Sequence, residues 1–204
     1  METKDRILLK AEELFIQFGI RSVSMDDISN NLGMSKKTLY QNFSDKDELV
    51  DAVVEDHIQE IKEDCKTCKN EASDAIHEIF LTMECVLEEF SNMNPVLLYD
   101  LEKFHFKAFK RFSNYKNKFL LQIISENLQW GIKDGLYRPD IDIDIMSKFR
   151  IESMMIPFNF SLFPPGKYSL ANTSQVLIEH FIYGLVTPKG YKLIQKYNAQ
   201  KQKS

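Results

Sequence analysis

The sequence predicts an all-α fold, and three observations carry that prediction. Apolar residues recur at i, i+3 and i+4 over most of the chain. Only seven glycines and six prolines punctuate it. They fall between the periodic stretches, so strands have little room.

Taken in order, Ile7, Ala11, Leu14, Phe15 and Phe18 form the first apolar stripe, and Gly19 stands where a helix C-terminus favours a left-handed residue. Ser24 with Asp26 and Asp27 supplies an N-cap and acids that complement the positive helix end. Ile28 and Leu32 give this short second helix its buried side before Gly33. Ser35 caps a third, Lys36 to Phe43, with Leu39 and Phe43 one turn apart. Ser44-Asp45-Lys46-Asp47 opens a longer fourth helix that carries Leu49, Val50, Val53, Val54 and Ile58 past residue 60. Ile76, Phe80, Met83, Leu87 and Phe90 make the next stripe, interrupted by Asn94-Pro95. Leu97, Leu101, Phe104, Ala108, Phe112, Tyr115 and Phe119 continue the period, with a break expected near Asn114. Between Phe119 and Ile132 apolar residues occupy two faces, as in a helix enclosed by a bundle. Gly135 stops it, Asp140 to Asp144 start another, and Pro157 bends or ends that one. Phe158 to Leu170, with Pro164-Pro165-Gly166, reads as a loop. A last helix is expected from Thr173 to Val186, ending at Pro188 and Gly190, before a Lys-rich end that resembles a disordered tail.

The 204 residues suit one good-sized domain or two small ones. With 44% hydrophobic and 27% charged residues the mixture is that of a folded globular protein. The longest apolar stretches fall far short of the roughly 18 residues a membrane span needs, so no membrane partner is expected. The start, Met1-Glu2-Thr3-Lys4-Asp5-Arg6, mixes both charge signs, unlike a secretory leader, so a cytoplasmic protein is expected. Three cysteines, an odd count, argue against a disulfide framework. The formal net charge is −4, yet the segment from Lys189 to Ser204 holds five lysines and no acid. The remainder carries 21 basic against 30 acidic residues. A duplex repels such a body, so any nucleic-acid binding must come from a local patch.

One segment offers such a patch. The second and third helices, separated by Gly33-Met34-Ser35, have the helix-turn-helix form, in which the second of the pair lies in the major groove. Lys36, Lys37, Thr38, Tyr40 and Asn42 crowd the start and outward faces of the third helix, while Leu39 and Phe43 face inward. Ammonium groups suit phosphates or guanine edges, Thr38 and Tyr40 suit phosphate, and Asn42 suits phosphate or a base. Ser24 and Ser35 join the set at the helix starts, and Lys46 is placed to reach the neighbouring phosphate.

The run Ser24-Met25-Asp26-Asp27-Ile28, then Leu32-Gly33-Met34-Ser35-Lys36-Lys37-Thr38-Leu39-Tyr40-Gln41-Asn42-Phe43, then Lys46-Asp47-Glu48-Leu49, closely resembles the DNA-binding module of TetR-type transcriptional regulators over Ile7 to Val54. Lys37 stands where many members have Gly, and Asn42 where many have His, so the operator cannot be borrowed from relatives. The resemblance implies a helix-turn-helix DNA-binding domain over 1–47 and a helical ligand-binding and dimerisation domain over 48–190; the lysine-rich composition marks a basic tail over 191–204. It further implies a homodimer that represses by binding a palindromic double-stranded operator and is released by a small effector. Dimerisation would use the last two long helices, and Gly135-Leu136-Tyr137-Arg138-Pro139-Asp140-Ile141-Asp142 resembles the family's connection between them. Residues 1–50 hold seven basic and nine acidic side chains, so affinity must rest on few phosphate contacts per subunit, doubled by the dimer. Two third helices about 34–36 Å apart would read one face of the duplex.

For the effector, Phe80, Met83, Leu87, Tyr99, Phe104, Phe119, Ile123, Asn127, Trp130, Met154 and Phe158 offer an aromatic, Met-rich lining that suits a hydrophobic molecule. The dimer face is expected at Ile151, Met155, Phe181, Gly184 and Leu185. Cys65-Lys66-Thr67-Cys68 is a lone C-x-x-C with only His57 and His77 near it in sequence, and zinc wants four ligands; no metal or cofactor is expected. Lys103, Lys107, Lys110, Arg111, Lys116 and Lys118 make a second basic cluster, read as a solvated face or as one whose start touches the DNA-binding domain or the phosphate backbone. No Gly-rich phosphate loop and no H-E-x-x-H is present, so an enzyme is not expected. A helical protein-interaction module without DNA is the alternative.

Overall fold

The computed structural model describes residues 2–201, without the side chain of Lys201. Its helices are α1 (Thr3–Phe18), α2 (Met25–Asn31), α3 (Lys36–Asn42), α4 (Lys46–Glu71), α5 (Ala75–Asn92), α6 (Val96–Phe104), α7 (Phe106–Tyr115), α8 (Leu121–Lys133), α9 (Ile143–Ser153), α10 (Leu170–Leu185) and α11 (Pro188–Lys201). A π-helical turn, Lys116–Leu120, precedes α8, and a 3-10 turn, Ile156–Phe158, follows α9. Among the described residues there is no strand, only the isolated bridges Tyr137–Val186 and Pro165–Tyr168. None of the described helices is long and apolar enough to cross a membrane.

The chain divides into two compact units. One comprises residues up to Ile61 with Asn92–Tyr115; the other comprises Lys62–Ser91 with the residues from Lys116 onward. The boundary expected at 47/48 falls inside α4.

In the first unit, α1 begins with a reciprocal cap in which the Glu2 backbone N–H donates to Asp5 Oδ2 (3.2 Å). It ends at Gly19, whose φ of 81° favours glycine. The buried sides of α1, α2, α3 and α4 meet in one cluster containing Ile7, Ala11, Phe15, Ile28, Leu39, Phe43, Leu49 and Val50, joined by Leu101 of α6 and Ala108 of α7. Polar ties add to it. Buried Asp51 of α4 accepts two hydrogen bonds from the Arg111 fork, Nε at 3.0 Å and Nη2 at 2.9 Å, and pairs with Lys107 at 2.9 Å; Arg111 also reaches Glu55. These cations hold the Asp51 carboxyl below the usual aspartate range. Two members of the second basic cluster, Lys107 and Arg111, therefore contact α4.

In the second unit, Tyr137 is fully buried and its ring lies where a side chain on Gly131 would go: a Cβ there would stand 2.0 Å from the ring. The connection after α8 is pinned to the end of α10, with Arg138 N donating to Leu185 O (2.9 Å) and Thr187 N to Leu136 O (2.9 Å).

Three local expectations change. The break between α6 and α7 lies at His105, and near Asn114 the chain continues through the π turn instead of breaking. Ser169, not a residue near Thr173, caps α10. Pro188 begins a helix rather than ending one, because proline is at home in a first turn. The basic tail is thus helical to Lys201; Ile194 is buried, and Tyr197 donates to Asp74 Oδ2 (2.6 Å) and stacks on His77. Lys203 lies outside the described residues.

Gly131→Ala should destabilise the protein by about 1–3 kcal/mol, since the added methyl meets a ring with nowhere to go. Denaturant unfolding followed by Trp130 fluorescence checks this.

Candidate functional site

The α2–α3 pair is built by its caps. Ser24 Oγ accepts from Asp27 N (3.1 Å) while Ser24 N donates to Asp27 Oδ2 (2.8 Å). Ser35 Oγ accepts from Thr38 N (3.1 Å) and lies 2.8 Å from Thr38 Oγ1. Both serines are exposed, so a phosphate can share them, but their first work is structural. With Leu39 fully buried and Phe43 nearly so, the rotation of α3 is fixed, and Lys36, Lys37, Tyr40 and Gln41 are left exposed. Gln41 is a residue the sequence reading missed, although its i+4 spacing from Lys37 puts both on one side of the helix.

Individual contacts differ from the sequence expectation. Lys36 Nζ pairs with Asp26 Oδ2 at 2.6 Å, tying α3 to α2, and that carboxylate holds its ammonium above the usual lysine range. Lys37 makes no hydrogen bond or ion pair among the described residues, which leaves its charge for a phosphate or guanine edge. Asn42 is half-buried and its amide donates one hydrogen bond to Thr38 O (2.8 Å), so one of its two donors is spent in closing α3. Lys46 is not an outward cation. Its ammonium donates to Ile20 O (2.6 Å), and partial burial pulls its pKa below the usual range against the opposing pull of Asp100, Asp47 and Asp27. Asp100 is itself buried and accepts from Arg21 N (2.8 Å).

The residues proposed to line an effector cavity divide between the units. Tyr99 and Phe104 belong to the first, where both are exposed and meet edge to face. The rest belong to the second. Phe80 and Met83 are core; Leu87, Phe119, Ile123, Trp130, Met154 and Phe158 are half-buried. Asn127 is committed to a buried network: its Nδ2 donates to Ala75 O (2.9 Å) and Glu78 Oε2 (2.7 Å), and its Oδ1 lies 3.1 Å from the Tyr137 hydroxyl. Burial raises the Glu78 carboxyl above its ordinary range. A cavity of about 10 Å³ between Phe80, Met83, Ile178, Ile182 and Ile194 has room for no more than one water molecule, so a larger ligand at this place must displace these side chains.

Most residues expected at the dimer face are likewise enclosed. Ile151, Phe181 and Leu185 are buried within their own unit and Met155 is half-buried; of that set only Gly184 is exposed. Apolar side chains that do face out from α9 and α10 are Ile145, Phe149, Val176 and Tyr183. An apolar stripe marks the side that meets the chain's own core, not the side left for a partner.

Cys68 Sγ lies 4.0 Å from Cys85 Sγ on α5, and burial pushes the Cys65 thiol up to about 11 and the Cys68 thiol up as well, away from the thiolate form. Glu12, His57 and Glu60, in the first unit, offer three possible metal-ligand atoms within 4.8 Å of one another. His57 Nδ1 already lies 2.8 Å from Glu12 Oε1, a contact that a hydrogen bond explains without a metal.

Comparison with known proteins agrees with this geometry. Residues 7–53 match the family model for bacterial regulatory proteins of the tetR family. The chain is 21% identical over 192 residues to the HTH-type transcriptional repressor KstR2 of Mycolicibacterium smegmatis, covering 93% of each. Among solved structures, a transcriptional regulator of Saccharomonospora viridis in complex with choline superposes with a TM-score of 0.72 at 17% identity, over 90% of this chain and 97% of that one. FadR of Bacillus subtilis in complex with stearoyl-CoA gives 0.69 at 16%, over 88% and 98%.

Two outcomes are expected. Lys46→Ala should cost about 0.5–1.5 kcal/mol of stability, the range for one lost hydrogen bond, because Ile20 O keeps its bond from Val23 N (3.3 Å); thermal melting measures it. A carboxyl raised in the folded state takes up a proton that the unfolded chain does not hold, so Glu78 erodes stability as pH climbs through 4.5, its unperturbed value, and up to its folded one. Glu78→Gln should lose that slope, gaining on the native protein at pH 7 relative to pH 4 in paired denaturation curves.

Proposed function

From the premise that the chain belongs to the TetR family of bacterial transcriptional regulators, we propose that α3 enters the major groove and that the protein represses transcription as a homodimer on a palindromic operator. The observation that carries this reading is the pairing of a buried Leu39–Phe43 side with an exposed Lys37–Tyr40–Gln41 side on one short helix. Phosphate contacts fall to Lys36, Lys37, Thr38 and Tyr40, with Ser24 and Ser35 at the helix starts. Lys46 and Asn42 support the helix. Exposed Ile145, Phe149, Val176 and Tyr183 are the side chains we assign to the dimer interface, in place of the buried set. The site of action is the cytoplasm, where the DNA is, and we assign no catalytic activity to the chain.

A small apolar effector is taken up by the second unit among Leu87, Phe119, Ile123, Trp130, Met154 and Phe158. The choline and stearoyl-CoA complexes of its structural neighbours support ligand binding as the use of this fold. Residues 46–61 of α4 belong to the first unit and 62–71 to the second, so a change in the second reaches α3's unit along one helix. An effector that lowers operator affinity a hundredfold must favour the released form by about 2.7 kcal/mol.

Binding to a selected duplex at several stated salt concentrations tests the assignment. Lys37→Ala should weaken binding and flatten the plot of log affinity against log salt by about 0.9 for each phosphate no longer neutralised, twice that in a dimer. Lys46→Ala should leave the slope unchanged. The opposite pattern would contradict the placement of both residues.

A further inference from the structure

Of the five arginines, Arg6 and Arg21 are exposed, and Arg111 and Arg138 pair with carboxylates. Arg150 does neither. The residue keeps some exposed surface, but its charged end is enclosed, and among the described residues no acid lies within ion-pair distance. Glu152, two positions on, pairs with Lys116 of the π turn (2.9 Å). The guanidinium carbon sits 5.4 Å from the centroid of the Phe181 ring, and its single hydrogen bond is a long one, Nη1 to Ser153 Oγ at 3.5 Å. A guanidinium brings five donors in a planar fork matched to carboxylate or phosphate, and enclosing it unpaired is costly. Desolvation draws its pKa down to about 10, with no neighbouring acid to oppose the shift.

A second polar group close by is also unsatisfied. Ser147 stands one turn earlier on α9, is 2% exposed, and its Oγ has no hydrogen-bond partner. Residues three apart share a helix face, so α9 carries a stranded cation and a stranded hydroxyl side by side. Apolar surface adjoins them: Phe149 stacks on Phe181 with ring centroids 6.3 Å apart. On another side α9 packs against α8 and the π turn, a local widening of the helix of the kind that recurs at functional sites.

We propose that Arg150 and Ser147 are the head-group site for the effector, which is an amphiphile with one anionic head, carboxylate or phosphate, on an apolar body. The head takes the Arg150 fork and the Ser147 hydroxyl, and the body follows the half-buried apolar side chains of the second unit. This rests on the effector-binding reading above and narrows it from an apolar molecule to an anionic one.

The test uses the full-length protein after removal of bound lipid. A straight-chain alkyl carboxylate, the alkyl phosphate of the same length and the matching alcohol are titrated by Trp130 fluorescence, and DNA release is read separately. The native protein should bind one or both anionic probes at least about tenfold more tightly than the alcohol, with the tighter of the two naming the head. Arg150→Met, which keeps the apolar stem, should abolish that preference while leaving the unliganded melting temperature unchanged or higher. Ser147→Ala should weaken anion binding without affecting the alcohol. Equal binding of alcohol and anion, a preference that survives Arg150→Met, or binding of none of the probes overturns the proposal. So does an Arg150→Met protein that loses unliganded stability and dimerisation with the preference intact, which would assign Arg150 to an acid of the partner subunit. Failure of the unliganded protein to bind DNA would instead count against the regulator reading, since the fluorescence titration does not depend on it.

Discussion

The burial of Leu39 and Phe43 is the constraint on which the DNA-binding side depends. A helix of seven residues has too little hydrogen bonding of its own to persist in water, so α3 exists because two side chains are taken into the cluster formed by α1, α2 and α4. Once they are placed, the remaining positions have no rotational freedom. Lys37, Tyr40 and Gln41 face solvent because Leu39 and Phe43 cannot. The serine caps set where the helices start, and the Lys36–Asp26 pair, exposed and worth little alone, fixes one cation relative to α2.

Charge is managed differently in the two units. In the first, acids of α4 are met by cations from α7, as in the Asp51–Arg111–Lys107 group, so an acidic stretch of sequence becomes a fastening. In the second, buried polar groups are mostly satisfied through a network in which Asn127, Tyr137, Glu78 and the Ala75 carbonyl share hydrogen bonds. Against that background Arg150 and Ser147 are conspicuous. Natural interiors seldom leave such groups unmet, and where they do, a ligand, an ion or a functional demand is the usual explanation.

Much of the fold was legible in the sequence because its signals are local. Stripe spacing, Ser caps and glycine stops place the end of α1, both ends of α2 and α3 and the start of α4 to within about two residues, and the helix-turn-helix motif follows from them. What escaped was whatever depends on a distant partner. Lys46 reads as a free surface cation until the Ile20 carbonyl is beside it, and Asn42 as a wholly free amide until one of its donors closes on Thr38 O. The apolar residues of α9 and α10 read as a partner face until Ile151, Phe181 and Leu185 are found enclosed in their own unit, since periodicity reports burial without saying against what. The Lys-rich end looks unable to fold by composition, yet Ile194 and Tyr197 suffice to hold α11 to the second unit. The odd placement of Arg150 has no signature in sequence at all, because an arginine one turn from a serine is unremarkable until both are enclosed.

Selection of bound fragments from the source genome by purified, effector-stripped protein at about 0.1–0.15 M salt tests the central claim most directly, since affinities for DNA carry no meaning without the salt stated. The account predicts enrichment of a two-fold symmetric sequence, with half-sites one helical turn apart or a multiple of it. Lys37→Ala protein should lose that enrichment. Recovery of nothing above background by folded, dimeric, effector-free protein would contradict it.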